Sequence, residues 1–395
     1  MESEDFLLDN YDYNLPDEMI AQIPAQPAES AKLLVWSEID NSVQDYHFYN
    51  LPDLLSNKDV LVCNNTKVFK ARIPLNQTKV IRKSWEIRYI DWEVFVYQLL
   101  HDGRLECLVS DDKNFKPWAE IFLDEEKEIS LISDGYAEDW IVFSVKWIWI
   151  FDFLEKYGQM PLPPYIHYKK EKEKRYQTTF AQDLGSSAAP TASLHFSQNL
   201  LNRLREIWVE ISFTTLHVGL WTFKPVYEPD IRNHKIHRES IIIENSLFQQ
   251  IYERKYKNKN LIAVWTTMVR LLETLPYLRK VLSESDKQKI LPDDEVFNFR
   301  ESITYDIQVA DCEKYVHNIS LQSNRIVCET QLFIFPWWKF RIIDEMITNF
   351  HLPKSSLLML ISALMWRKNA LQAYEYAKKN WYYFYSFWDG MLIRK

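Results

Sequence analysis

Apolar and polar positions follow two different rhythms along this chain. A helical turn near Asp53 leads into an apolar run, Val60 to Cys63, and a polar loop, Asn64-Asn65-Thr66. After Met160 short β-type runs alternate with helical periodicity. Strands are predicted at Val209 to His217, Ile241 to Ile243, Leu261 to Val264 and Gln331 to Phe335, and helices at Ser246 to Tyr256, Thr267 to Leu275, Ser355 to Trp366 and Asn369 to Lys378. Strands interleaved with helices indicate an α/β domain. Between Leu75 and Leu154 the rhythm changes. Glu86 to Leu100, Arg104 to Ser110, Ala119 to Leu123, Ile129 to Ile132 and Trp140 to Ile150 read as strands separated by Asp-Gly and Pro turns. The expected architecture is an α/β main domain, residues 1–74 and 155–395, with an inserted all-β domain at 75–154. The charged, irregular stretch 276–330 is expected to be a peripheral insertion.

Bulk properties add limits. The chain has 395 residues, the usual length for two domains. Its start, Met1-Glu2-Ser3-Glu4-Asp5-Phe6, lacks the basic region and apolar run of a secretory signal. No apolar stretch approaches the roughly 18 residues that cross a bilayer, so a soluble, cytoplasmic protein is expected. Cys63, Cys107, Cys312 and Cys328 are scattered without a C-x-x-C pair, as reduced core thiols would be. The net charge of -8 argues mildly against a protein wrapped by nucleic acid. Two basic runs, Lys169 to Arg175 and Arg254 to Lys259, are nevertheless candidate phosphate contacts. Glycine is scarce: 6 residues, against 15 tryptophans, where average glycine usage is roughly 7%.

No Gly-x-Gly-x-x-Gly dinucleotide loop or Gly-rich Lys-Ser/Thr phosphate loop is present. Polar clusters instead follow the predicted strands, where open α/β sheets place ligands. His217 ends one strand. His234, His237 and Glu239 lie close in sequence and suit an acid/base pair with an orienting carboxylate; their spacing fits no zinc signature. Thr266 and Thr267 cap a helix and could offer its first amides to an anion. Arg270 follows on that helix, and Asp344, Thr348, Asn349 and His351 form a further cluster.

Read as strings, these clusters resemble the S-adenosylmethionine:tRNA ribosyltransferase-isomerases of queuosine biosynthesis. The resemblance runs in order through Asp12 to Pro16, Asn64 to Val68, Met160 to Ile166, Tyr176 to Thr178, Ala188 to Phe196, Thr215 to Val226, Ala263 to Thr267, Thr348 to Ser355 and Ser386 to Asp389. It implies transfer of the ribosyl part of S-adenosylmethionine to the aminomethyl-deazaguanine wobble base of tRNA. Rearrangement to an epoxy-cyclopentanediol follows, with adenine and methionine leaving. It also implies a β-barrel insert, no metal, and a monomer with tRNA and S-adenosylmethionine as partners. The sulfonium acidifies the neighbouring ribose methylene, so a histidine base suits the first step. Expected catalytic groups are His217, His234, His237, Glu239 and Asp344. Expected contacts to S-adenosylmethionine are Thr191, His195, Thr266, Thr267, Arg270, Asn349, His351 and Asp389. The expected RNA contacts are Arg72, Lys169, Lys170, Lys174 and Arg175.

The chain departs from the family pattern in one systematic way. Trp208, Trp221, Trp265, Trp337, Trp366 and Trp388 stand at family glycines, as do Trp92, Trp118 and Trp381 by a looser match. A gene whose UGA codons mean glycine would show this pattern if they were read as tryptophan. Genuine indoles in the cofactor loops would instead favour a non-catalytic tRNA-binding relative, and a hydrolase built on the histidine-carboxylate trio is a more distant alternative. Trp221 and Trp265 are expected to be strained, or to intrude on a pocket lined by His217.

Overall fold

The computed structural model describes residues 3–82, 84–100, 102–109, 115–137, 140–163, 165–166, 170–219, 225–282, 286, 307–385, 387 and 389–395. Two compact units divide the chain: Met1–Thr66, Tyr165–Gln182 and Pro190–Lys395 form one, Lys67–Pro164 and Asp183–Ala189 the other. The first strands are β1 (Lys32–Ser37), β2 (Ser42–His47), β3 (Asp59–Asn64) and the short β4 (Thr66–Val68). Then come β5 (Arg72–Ile81), β6 (Ile87–Leu99), β7 (Leu105–Val109), β8 (Glu120–Asp124), β9 (Ile129–Ala137), β10 (Trp140–Lys146) and β11 (Asp183–Ser186). The rest are β12 (Glu210–His217), β13 (Glu239–Glu244), β14 (Asn260–Val264), β15 (Val316–Leu321), β16 (Arg325–Thr330), β17 (Glu345–Asn349) and β18 (Gly390–Arg394). The helices are α1 (Leu51–Leu54), α2 (Ile150–Tyr157), α3 (Lys170–Glu173), α4 (Gln198–Glu206), α5 (Asn245–Tyr256), α6 (Thr266–Val281), α7 (Val309–Tyr315), α8 (Ser356–Met365) and α9 (Arg367–Lys379).

The first unit is a mixed α/β structure on a ten-stranded sheet, ordered β15-β16-β13-β12-β3-β14-β17-β18-β1-β2. Its centre is parallel: β12 pairs with β3, β3 with β14, and β14 with β17 in that sense. Every residue of β3 is buried, as a central strand covered on both faces requires. One face packs Leu61, Cys63, Val264, Ile347 and Leu392 against Leu200, Leu201 and Leu204 of α4. The apolar helix α8 is buried almost throughout and starts where the Ser355 hydroxyl accepts from the Leu358 amide. All four cysteines are free and buried.

In the second unit β5 pairs with β6 and β8, β7 with β6 and β10, and β9 with β8 and β10, all antiparallel. Strand β5 was not expected. Its Pro74 and polar Asn76 to Lys79, with a register shift between Leu75 and Thr78, break the alternation that would reveal it. The strand predicted from Trp140 to Ile150 stops at Lys146, and Ile150 begins α2. Two further expectations are corrected. The segment 276–330 is not a peripheral insertion throughout: α6 runs through Pro276 to Val281, and β15 and β16 extend the large sheet. Gln331 to Phe335 is no strand, although Leu332 and Ile334 are buried. No helix among the described residues is long and apolar enough to cross a membrane.

Candidate active site

Because β12, β3, β14 and β17 are parallel, their carboxyl ends share one edge of the sheet, the usual ligand edge of such folds. His217, Asn64, Val264 and Asn349 end these four strands. At about 4.8 Å per strand that edge is roughly 14 Å wide.

Asn64 organises its centre. Its Oδ1 accepts from the backbone amides of Leu216 (3.2 Å) and Thr66 (3.0 Å), and its Nδ2 donates to the Leu216 carbonyl (2.9 Å) and the Thr267 hydroxyl (3.3 Å). The neighbouring Asn65 Oδ1 accepts from the Thr215 hydroxyl at 2.7 Å. The Thr66 hydroxyl lies 2.9 Å from His217 Nδ1. One chain of hydrogen bonds thus ties His217 to the first turn of α6. Neither Asn64 nor Thr66 was singled out from sequence. Their signal is a polar triplet closing an all-apolar strand.

Helix α6 begins one residue after β14. Thr266 is fully buried, and its hydroxyl has no partner among the described residues. One turn on, Arg270 is buried too. It donates to Glu239, to the Leu332 carbonyl at 3.1 Å and to the His237 carbonyl at 3.3 Å. Glu239 opens β13 beside the end of β12, since Ser240 pairs with His217. Its other oxygen lies 3.3 Å from His237 Nε2. Burial pushes His237 below the usual imidazole range, against the pull of Glu239. Of the predicted trio, His237 and Glu239 meet, and Arg270 anchors the pair. His234 stands apart on Glu228 (2.9 Å), its ring edge-on to Phe333.

On the other side of the edge, the Thr191 hydroxyl donates to Asn349 Oδ1 at 2.8 Å. His351 Nε2 lies 2.8 Å from the Thr348 hydroxyl, its amide donates to the Tyr374 hydroxyl, and its carbonyl accepts from Tyr13. Burial drives His351 down to about 3, so it is neutral. Asp389 accepts the Lys32 and Tyr383 amides at 2.6 and 2.7 Å, and burial raises its carboxyl to about 6.

Several predicted residues fall elsewhere. Asp344 precedes β17 and exchanges hydrogen bonds with the Leu261 backbone. That is the amino end of the parallel strands, about 16 Å from Asn349 at the strand rise of 3.3 Å per residue. The structure thus sets Asp344 at the opposite end of β17 from Asn349. His195 stacks on Phe48 at 4.3 Å with Nδ1 on the Ala28 carbonyl. Of the basic residues, Arg72 pairs with Glu93, Arg175 donates to the Ala25 carbonyl, and Lys174 is exposed. Lys170 lies in α3; Lys169 falls outside the described residues. In the second basic run, Arg254 and Lys259 are both committed to Glu210.

A pocket of about 420 Å³ also opens in the first unit, lined by Asp9, Asp12, Val226, Tyr227 and Lys354 among others. Lys354 spans the two carboxylates at 2.8 and 3.2 Å. Trp265, between Val264 and Thr266, is fully buried at φ 83°, and its indole N–H has no partner among the described residues. The strain expected there is present. Trp221 and Trp388 lie outside the described residues. Among those described, no group of three or more His, Cys, Asp or Glu could hold a metal ion.

Residues 8–393 match the model of a family described as queuosine biosynthesis protein. The S-adenosylmethionine:tRNA ribosyltransferase-isomerase of Sulfurihydrogenibium sp. is 36% identical over 98% of this chain and 99% of its own length. That of Finegoldia magna is 35% identical over 98% and 97%. A crystal structure named as S-adenosylmethionine tRNA ribosyltransferase from Thermotoga maritima aligns over 97% of this chain and 99% of that one, with a TM-score of 0.49 and 24% identity.

Proposed function

Because the chain belongs to the queuosine biosynthesis protein family, we infer that it is an S-adenosylmethionine:tRNA ribosyltransferase-isomerase. It transfers the ribosyl moiety of S-adenosylmethionine to the aminomethyl-deazaguanine wobble base of tRNA and isomerises it, releasing adenine and methionine. The observation that carries the site assignment is the hydrogen-bond chain from His217 through Thr66 and Asn64 to Thr267.

In this reading S-adenosylmethionine lies along the carboxyl edge of the parallel strands. Its sulfonium makes the adjacent ribose methylene acidic, and a neutral imidazole takes the proton. With Nδ1–H donating to the Thr66 hydroxyl, His217 presents its lone pair on Nε2. His237 is the second acid/base group; Glu239 orients it and Arg270 holds the carboxylate in place. Thr266, with its buried hydroxyl, and Thr267 contact the donor at the start of α6. Thr191, Asn349, His351 and Asp389 form the opposite wall. His217→Gln and His237→Gln should each slow adenine release by about 10²- to 10⁴-fold. Full rates in both variants would remove histidine catalysis from the mechanism.

We also propose that the second unit is an inserted barrel-like domain, a reading supported by strand pairings that return from β8 to β5. The enzyme is proposed to act as a cytoplasmic monomer without a metal, which sedimentation and activity in the presence of a chelator would check. The tRNA surface is proposed to include Lys174. Lys174→Ala should reduce the salt dependence of tRNA binding by about one unit of log-log slope, and an unchanged slope would move the RNA surface elsewhere.

A further inference from the structure

Among the described residues eight tryptophans have positive φ: Trp85 (61°), Trp118 (74°), Trp147 (64°), Trp208 (65°), Trp265 (83°), Trp337 (77°), Trp366 (66°) and Trp381 (57°). For a bulky side chain this region is a genuine outlier. Each local geometry that can be classified is one that selects glycine.

Trp208 and Trp381 both follow a helix in the same way. The Trp208 amide donates to the Arg205 carbonyl and the Val209 amide to Leu204; the Trp381 amide donates to Lys378 and the Tyr382 amide to Ala377. This paired closure places its left-handed residue at the tryptophan, a position that glycine, or sometimes asparagine, fills. At the end of α5 the Lys259 amide bonds back to the Arg254 carbonyl in the same manner, and there Asn258 takes φ 52°.

Trp118 and Trp337 sit third in tight turns, after Pro117 and Pro336. The Ala119 amide closes the first onto Lys116 and the Trp338 amide the second onto Phe335. Proline followed by a positive φ is the type II arrangement, which takes glycine at that place.

The hairpin between β5 and β6 supplies an internal control. There the Arg82 amide donates to Glu86 and the Trp85 amide to Arg82; between β6 and β7 the Leu100 amide donates to Arg104 and the Gly103 amide to Leu100. Gly103, at φ 82°, occupies the place that Trp85 holds in the sister hairpin.

Trp265 (φ 83°, ψ 157°) and Trp366 (φ 66°, ψ 140°) each precede a helix. These angles approach a region that is essentially glycine's alone.

We infer that the protein made in its own cell carries glycine at all eight positions, and that each is specified by UGA, a codon read as glycine in one genetic code and tryptophan in another. The backbone geometry alone assigns Trp85 and Trp147, which the family pattern does not reach. It also separates a second class. Trp36, whose indole donates to Asn41 at 3.2 Å, and Trp140, stacked on Tyr97 at 4.2 Å, lack the positive φ and make side-chain contacts that glycine cannot make. Those two are tryptophan.

Peptide mass spectrometry of the protein purified from its native organism, alongside the gene's codons, tests the assignment position by position. The expected result is glycine at all eight positions, each with a UGA codon, and tryptophan from UGG at residues 36 and 140. Tryptophan at any of the eight overturns it, as does glycine at residue 36 or 140, which would show that backbone geometry does not sort the two classes.

Discussion

In the tryptophan-bearing chain, the helix ends at Trp208 and Trp381 allow the backbone cost to be isolated. Both side chains are mostly exposed, at 78% and 71%. Replacing either by glycine or by alanine removes the same indole contacts, so the difference between the two variants reports the backbone alone. A left-handed conformation costs an L-residue about 1–2 kcal/mol. Glycine avoids this but loses about 0.5–1 kcal/mol more conformational entropy than alanine on folding. The glycine variant should therefore exceed the alanine variant by about 0.5–1 kcal/mol at each site. The two sites follow different helices, so Trp208→Gly with Trp381→Gly should exceed the alanine pair by roughly 1–2 kcal/mol if distant effects add. In a helix interior the order is reversed, alanine being better by up to about 1 kcal/mol, so the sign alone is diagnostic. Urea denaturation followed by circular dichroism would show the glycine pair with the higher midpoint and an unchanged slope. Equal midpoints, or a more stable alanine pair, would refute the claim that these positions demand positive φ.

Two further outcomes follow from the buried groups. Glu239→Leu leaves the Arg270 guanidinium buried without its carboxylate, and calorimetry should show a loss of about 3–5 kcal/mol; a loss under 1 kcal/mol would mean that water reaches the arginine. His351 is held near 3 in the folded chain, against 6.5 as its ordinary value. Between those values the unfolded chain binds the extra proton, so stability falls as pH drops below 6.5. Asp389, raised by burial to about 6 from 3.8, has the opposite sign: its contribution is present below 3.8 and lost as pH rises through 6. The readout is accordingly the difference between the parent chain and His351→Gln, which should narrow from pH 7 to pH 4; a constant difference would place the acid sensitivity elsewhere.

Legibility of the fold tracks how each element meets solvent. β3, β12, β14, α6 and α8 were readable because apolar runs buried in the sheet or against it leave a continuous signal. β15 escaped because most of its residues are exposed at the sheet's edge, so nothing apolar marks it. The converse error is Gln331 to Phe335: Leu332 is buried, but its carbonyl serves Arg270 rather than a neighbouring strand. Of the candidate site residues, His217 and Asn349 were legible because they end strands. Asp344 was grouped with Asn349 because closeness in sequence hides the whole of β17 between them. Asn64 and Thr66 were passed over because short polar side chains at a strand end look like ordinary loop chemistry until their partners, Leu216, Thr267 and His217, are brought in from β12 and α6.

One error has a different origin and bears on the tryptophans themselves. The prediction of a single strand from Trp140 to Ile150 ran through Lys146 because Trp147, Ile148 and Trp149 prolong an apolar run. The chain in fact turns at Trp147, where φ is 64°, and α2 begins three residues later. Glycine at that place would have marked the break, since it is among the strongest signals that an element ends. The end of α4 at Trp208 and the turn at Trp337 lose the same signal. A chain of this size that turns so often at positive φ with only 6 glycines in its sequence sets local preference against fold at each of these points, and natural sequences are locally consistent with their folds. Restoring glycine at the eight positions removes that conflict in a single step while leaving Asn64, His217, His237, Glu239 and Arg270 untouched. Among the described residues, these eight indoles each stand where the backbone takes a conformation that suits glycine.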